Sequence, residues 1–157
     1  MRVPRMLLIT ISMFLSIVAI GADNNPFAGT WKFNAAKSNM GASDTTKSDV
    51  MQIKTDGKTI SLMDEEIDAQ GDHKISVDNA KVDGKPYPVK GDPGSDTVAY
   101  ELRGPREFAG TTEKNGRITA RYTISVSKDG QTTTVRYTAY AEDGKTESGT
   151  SVYDKQP

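Results

Sequence analysis

Few side chains in this 157-residue chain have a type that could do chemistry unaided. His73 is the single imidazole, and there is no cysteine. Without Cys there are no structural disulfides, no thiolate nucleophile and no Cys-held zinc or iron–sulfur centre. One His rules out a His-rich metal site. A general base needs a partner to orient it. His73 follows Gly71-Asp72 and reads as a solvated turn residue. The acidic run Asp64-Glu65-Glu66-x-Asp68 could offer oxygen ligands to a hard cation, but it lacks the loop spacing and central Gly of an EF-hand. It reads instead as a solvated strand end that discourages edge pairing. Asp92 and Asp96 lie in Gly91-Asp92-Pro93-Gly94-Ser95-Asp96, where an Asx turn accounts for an Asp. There is no Gly-x-Ser-x-Gly elbow and no phosphate loop. The expectation is therefore no catalytic residue, no metal and no cofactor, hence no enzyme. A carboxylate held far above its ordinary pKa in a cleft would argue the other way.

The remaining candidates are aromatic. Tyr100, Tyr122 and Tyr137 share the apolar side of alternating segments, with the small residues Ala120 and Ala139 on the same side. That face either fills a core or lines a cavity for one small ligand. Charge offers no other partner: 20 Lys+Arg against 21 Asp+Glu, net −1, gives no reason to expect nucleic acid.

Whatever positions these tyrosines lies after residue 22. Arg2 and Arg5 precede an apolar run, Met6 to Ile20, and Ala19-x-Gly21 has the spacing a signal peptidase reads. A run of 15 residues falls short of the roughly 20 that span a bilayer. Residues 1–22 are predicted to be a secretory signal peptide, cleaved near residues 21–22. The mature domain would be 23–157, periplasmic or secreted, with no membrane span.

The mature chain is punctuated by Asp56-Gly57, Asp83-Gly84, Asn115-Gly116, Asp129-Gly130 and Asp143-Gly144, dipeptides suited to tight hairpin turns. Between them the residues alternate. Ile118, Ala120, Tyr122, Ile124 and Val126 oppose Thr119, Arg121, Thr123, Ser125 and Ser127, a period of two that marks a half-buried strand. Strands are predicted at 29–34, 48–55, 58–66, 73–81, 85–89, 96–103, 106–114, 117–127, 131–141 and 145–153. A short helical turn capped by Asn34 is predicted at 35–38, and residues 39–48 read as a mobile loop. Without helices to cover the apolar face, so many strands must curl on themselves. The fold class is therefore all-β, an antiparallel up-and-down barrel of 8–10 strands. A two-sheet sandwich would want longer crossing connections.

Gly29-Thr30-Trp31 at the entrance to the first strand resembles the opening motif of lipocalins and related calycin barrels, in which the Trp closes one end. Further segments, Lys32-Phe33-Asn34-x-Ala36-Lys37-Ser38, Asp83-Gly84-Lys85-x-Tyr87-Pro88-Val89, Val126-Ser127-Lys128-Asp129-Gly130 and Val152-Tyr153-Asp154-Lys155-Gln156, resemble small exported bacterial proteins described as lipocalin-like. The resemblance implies a lipocalin-like barrel with a late-strand Arg packed over Trp31, for which Arg121 and Arg136 are candidates. The first functional expectation is a binding protein for a small apolar or amphipathic molecule held inside that barrel. The expected lining is Trp31, Phe33, Ile53, Leu62, Tyr100, Leu102, Phe108, Tyr122, Ile124 and Tyr137, with the loop 39–48 placed to form a lid. The alternative is a filled barrel that binds a protein or envelope polymer through its Thr-rich outer surface. Cavity volume separates the two.

Overall fold

The computed structural model describes residues 25–157; the segment read as a signal peptide lies outside them. Ten strands form one closed antiparallel barrel: β1 (Gly29–Phe33), β2 (Thr46–Thr55), β3 (Thr59–Asp68), β4 (His73–Lys81), β5 (Tyr87–Lys90), β6 (Thr97–Gly104), β7 (Glu107–Lys114), β8 (Arg117–Val126), β9 (Thr132–Tyr140) and β10 (Thr146–Lys155). Each strand pairs with its neighbours in sequence, and β1 closes on β10 through Trp31↔Lys155 and Phe33↔Tyr153. The topology is up-and-down, as the turn spacing predicts, and every strand boundary lies within two residues of its expected place. A 3-10 turn at Ala35–Lys37 follows Asn34, whose side chain accepts from Lys37 N at 3.2 Å. Closure removes the sheet edges and buries the alternating apolar face in one step.

The wall is thinnest at β5. It pairs with β4 through Val77↔Lys90 and Asp78↔Val89, and with β6 through Tyr87↔Val98 and Pro88↔Thr97. Pro88 has no N–H to donate, which limits any longer ladder there.

Chain direction divides the barrel into two ends. The starts of the odd strands β1, β3 and β7, and the ends of the even strands β2, β4 and β8, form a floor. Phe27, just before β1, packs edge-on against Phe108, with centroids 5.0 Å apart. Trp31 is fully buried, and its indole N–H donates to the Phe27 carbonyl at 2.9 Å. Ile53, Ile60, Ala80, Ile124 and Val126 complete this apolar plug.

Two sequence expectations are corrected at this end. The cation over the Trp31 ring is Lys155 Nζ, 5.0 Å from the centroid, rather than Arg121 or Arg136. Both arginines are exposed on the outer wall, where Arg121 lies over Tyr140. Strand alternation explains this: each neighbours an inward residue, Tyr122 or Val135, and so must point outward. Lys155 is delivered by the β1–β10 register instead. Leu102, expected to line the interior, is 52% exposed. It sits at a bulge where the β6–β7 register shifts between Leu102 and Gly104, and a bulge re-aims the side chains beside it.

Candidate functional site

The opposite half of the barrel is hollow. A cavity of about 360 Å³ runs from the floor toward the loops before β2 and β6. This is within the range of small-molecule sites. Of the residues expected to line it, Leu62, Tyr100, Tyr122, Ile124 and Tyr137 do so. Trp31, Ile53 and Phe108 belong to the plug beneath it, and Phe33 is partly buried against Tyr153, 5.8 Å away, so these four do not line the cavity. Val98, Val135 and Met51 add apolar wall.

Two tyrosines owe their place to glycines that the sequence reading passed over. Gly110 lies directly opposite Tyr122 across β7–β8, and Gly149 opposite Tyr137 across β9–β10. Each ring lies across its glycine so closely that an added Cβ would collide with it. Only Gly permits this approach, and the pairing keeps the rings against the wall instead of filling the lumen.

The larger surprise is acidic. Asp44, Asp49, Asp64, Glu66, Asp78 and Asp92 all line the cavity. The run Asp64-Glu65-Glu66-x-Asp68, read as a solvated strand end, is divided by the alternation of β3. Asp64 and Glu66 continue the inward face of Ile60 and Leu62, while Glu65 faces out to bond His73 Nε2 at 2.8 Å. Asp68 is buried in the β3–β4 turn, accepting from Gln70 N and Asp72 N. The Asx reading of Asp92 holds, since its Oδ1 accepts from Gly94 N at 2.7 Å. The signal for the inward acids was present: carrying the period of two past Leu62, and back from Met51, reaches Asp64, Glu66 and Asp49.

Tyrosine hydroxyls hold three of the acids. Tyr153 donates to Asp49 Oδ2 at 2.6 Å, Tyr100 to Asp78 Oδ2 at 2.9 Å and Tyr137 to Asp44 Oδ2 at 2.8 Å. Asp49 and Asp78 are only 6% and 8% exposed, and the Oδ1 atom of each meets no protein donor. Burial dominates their titration. It raises Asp78 to about 6 against the opposing Tyr100 bond. It lifts Asp64 well above the ordinary carboxylate range, reinforced by the neighbouring Asp49. Asp49 and Glu66 are raised by the same cause. Tyr137 is pushed up to about 12, chiefly by burial. No Lys, Arg or His lines the cavity among the described residues. Lys74 approaches Glu66 only from the rim, at 3.7 Å and 42% exposed.

The loop expected to be mobile is tied down across the mouth. Asn39 bridges Thr150, Gly41 N donates to the Tyr137 hydroxyl at 3.1 Å, and Ser43 N donates to Glu147 at 2.8 Å. Met40 and Asp44 from this segment reach into the lumen. Its polar, small composition correctly marks residues 39–45 as non-strand, while 46–48, expected in the loop, begin β2. The partners that order it lie on β9 and β10, more than ninety residues away, beyond any local signal.

No protein-family model matches the chain, and no curated protein matches it in sequence. Solved structures do. The zebrafish ileal bile acid-binding protein, complexed with cholic acid, aligns with a TM-score of 0.54 at 12% identity, over 83% of this chain and 99% of that one. A de novo designed fluorescence-activating β-barrel aligns at 0.47 and 13% identity, over 86% and 99%. The siderocalin Ex-FABP aligns at 0.41 and 12% identity, over 83% and 74%. The fold is thus a closed, antiparallel up-and-down β-barrel of the kind seen in the bile acid-binding protein.

Proposed function

We propose that this chain is an exported binding protein that holds a small amphipathic molecule in the barrel lumen. The observation that carries this reading is the cavity itself: about 360 Å³, closed below by the Trp31 plug and overlaid by the segment 39–45. A filled barrel with a working outer surface was the alternative, and a hollow interior favours the carrier. That a bile acid-binding protein shares this fold is consistent with a guest in the lumen. Apolar burial against Leu62, Val98 and Ile124 would supply affinity, and tyrosine hydroxyls orientation. Export rests on the basic start, apolar run and small-residue site of residues 1–22.

Native mass spectrometry of residues 23–157, which contain every strand of the barrel, tests the carrier reading. After incubation with a lipid and small-molecule extract of the source cells, a discrete adduct lost on unfolding is expected. A clean ligand-free spectrum from folded protein would sink the reading. Tyr122→Trp should weaken uptake while leaving the barrel folded, and unchanged uptake would place the guest elsewhere.

One observation favours a second reading. Carboxyls raised by burial in a cavity, Asp64 and Asp78, are what an acid–base catalyst requires. Among the described residues no nucleophile–base pair accompanies them, so binding is preferred. Turnover of glycoside or ester probes that Asp64→Asn abolishes would reverse that preference.

A further inference from the structure

We propose that the lumen is built for an organic cation, a molecule whose ammonium or guanidinium group docks among Asp49 on β2, Asp64 on β3 and Asp78 on β4 while its apolar part lies against the tyrosines. The proposal deepens the carrier reading and rests on it.

Register places the three carboxyls along one inward-facing path. The registers Asp49↔Glu66, Asp64↔Ser76 and Leu62↔Asp78 set them on a diagonal across three adjacent strands, all facing inward. Cross-strand diagonals of this kind lie within reach of a single guest. Asp49 and Asp78 each have one oxygen fixed by a tyrosine and the other buried without a fixed donor, but Asp49 also lies in hydrogen-bond contact with the Asp64 carboxyl, so Asp78 is the acceptor with no neighbour to serve it. A buried acceptor left unpaired is costly. Both residues line the same cavity. A guest bringing N–H donors would satisfy both, through charge-assisted hydrogen bonds.

The surroundings select the sign of the guest. Asp44, Glu66 and Asp92 add carboxyls from the covering loop, β3 and the β5–β6 turn, and no basic side chain lines the lumen to answer them among the described residues. A carboxylate or phosphate would find no cationic side chain there and would be repelled by every ionised carboxyl. A compact metal ion fits poorly, because no group of three or more acidic or His side chains converges on one point among the described residues. Carboxyls spread along a wall, with aromatic rings between, suit a larger cation that bonds each separately and rests on π faces. The alcohol-rich but base-free lining also explains why such expensive residues occupy a wall that Leu or Val would stabilise better. Sites commonly sacrifice stability for binding.

Calorimetric titration of residues 23–157 with matched probes tests the proposal. 2-Phenylethylamine, 2-phenylethanol and 3-phenylpropionate share a body and differ in charge; octylamine, octanol and octanoate repeat the comparison with a flexible chain. The amines should bind at least about ten-fold more tightly than the alcohols, and the carboxylates weakest of all. Asp64→Asn and Asp78→Asn should each erase the amine's advantage over the matched alcohol while the barrel's circular dichroism stays unchanged. Alcohol or carboxylate binding equal to that of the amine would overturn the cation proposal and leave the carrier reading standing. Heat from calcium chloride, with the amines silent, would overturn it in favour of a metal. Silence from every probe, together with a ligand-free mass spectrum, would overturn both.

Discussion

The two ends of this barrel share one wall and obey opposite rules. At the floor the inward side chains are mostly apolar: the Trp31 N–H reaches Phe27, Phe27, Tyr100 and Phe108 stack edge to face, and the Thr133 hydroxyl is a buried polar atom left without a partner. In the upper half the same inward positions carry Asp49, Asp64, Glu66 and Asp78. The transition takes one step along a strand. Met51 and Asp49 are successive inward residues of β2, as are Leu62 and Asp64 of β3, and Ala80 and Asp78 of β4. The floor stores the stability that the lumen forgoes. A dry plug gains from each buried ring, whereas a buried carboxyl costs free energy unless something pairs with it. Closure by one end lets the other stay hollow and acidic.

Perturbing the floor should have the largest effect. Trp31→Ala removes a fully buried ring and its hydrogen bond, and should lower unfolding free energy by about 3–5 kcal/mol in a denaturant titration. A loss below about 1 kcal/mol would mean the plug is not the stabilising half.

Perturbing the lumen should have the opposite sign. Burial raises folded Asp78 to about 6 from an ordinary carboxylate value of 3.8. The native state therefore holds this proton to higher pH than the unfolded chain does. Its contribution is fully present below about pH 4, falls as pH rises toward 6 and is absent above. Asp64 and Asp49 act in the same direction. Asp78→Asn keeps an acceptor for Tyr100 and should raise stability at pH 8 by on the order of 2 kcal/mol, with no gain at pH 3.5. A gain that is equal at both pH values would show that Asp78 is not the titrating group.

Smaller effects probe the junctions. Tyr137→Phe removes the hydroxyl that joins Gly41 and Asp44 to β9. Stability should fall by about 1 kcal/mol, and amide exchange should speed up in residues 40–45 while the floor strands keep their protection. Uniform protection along the chain would show that the covering segment is held by its other bonds. Lys155→Met keeps the aliphatic cover of Trp31 and loses the charge above the ring. A loss of about 0.5–1 kcal/mol is expected, together with a shift in indole fluorescence. An unchanged spectrum would remove the cation from the description of the floor.

Much of this was legible in order of locality. Asp-Gly and Asn-Gly turns with alternation of period two placed ten strands to within two residues. That pattern is local, and a strand's turns and faces are set by its own residues. Gly29-x-Trp31 marked the closed end. Leu102 failed because alternation assumes a regular ladder, and the β6–β7 bulge interrupts it. The acids depart for a different reason: their type and their position point opposite ways. Asp64 and Glu66 read as solvated because carboxylates usually lie there, although their place in the alternation puts them inside.

By itself, then, the order of residues determined the elements, their up-and-down succession and the face of each regular strand, because turns and pleat are properties of neighbouring residues. Only the closed tertiary structure decided that Lys155 covers Trp31, that Gly110 and Gly149 seat two tyrosines, and that three aspartates lie along one inward diagonal across β2, β3 and β4. Those relations depend on register between strands and on the curvature that joins β1 to β10. A one-residue slip would turn every one of these side chains to the other face.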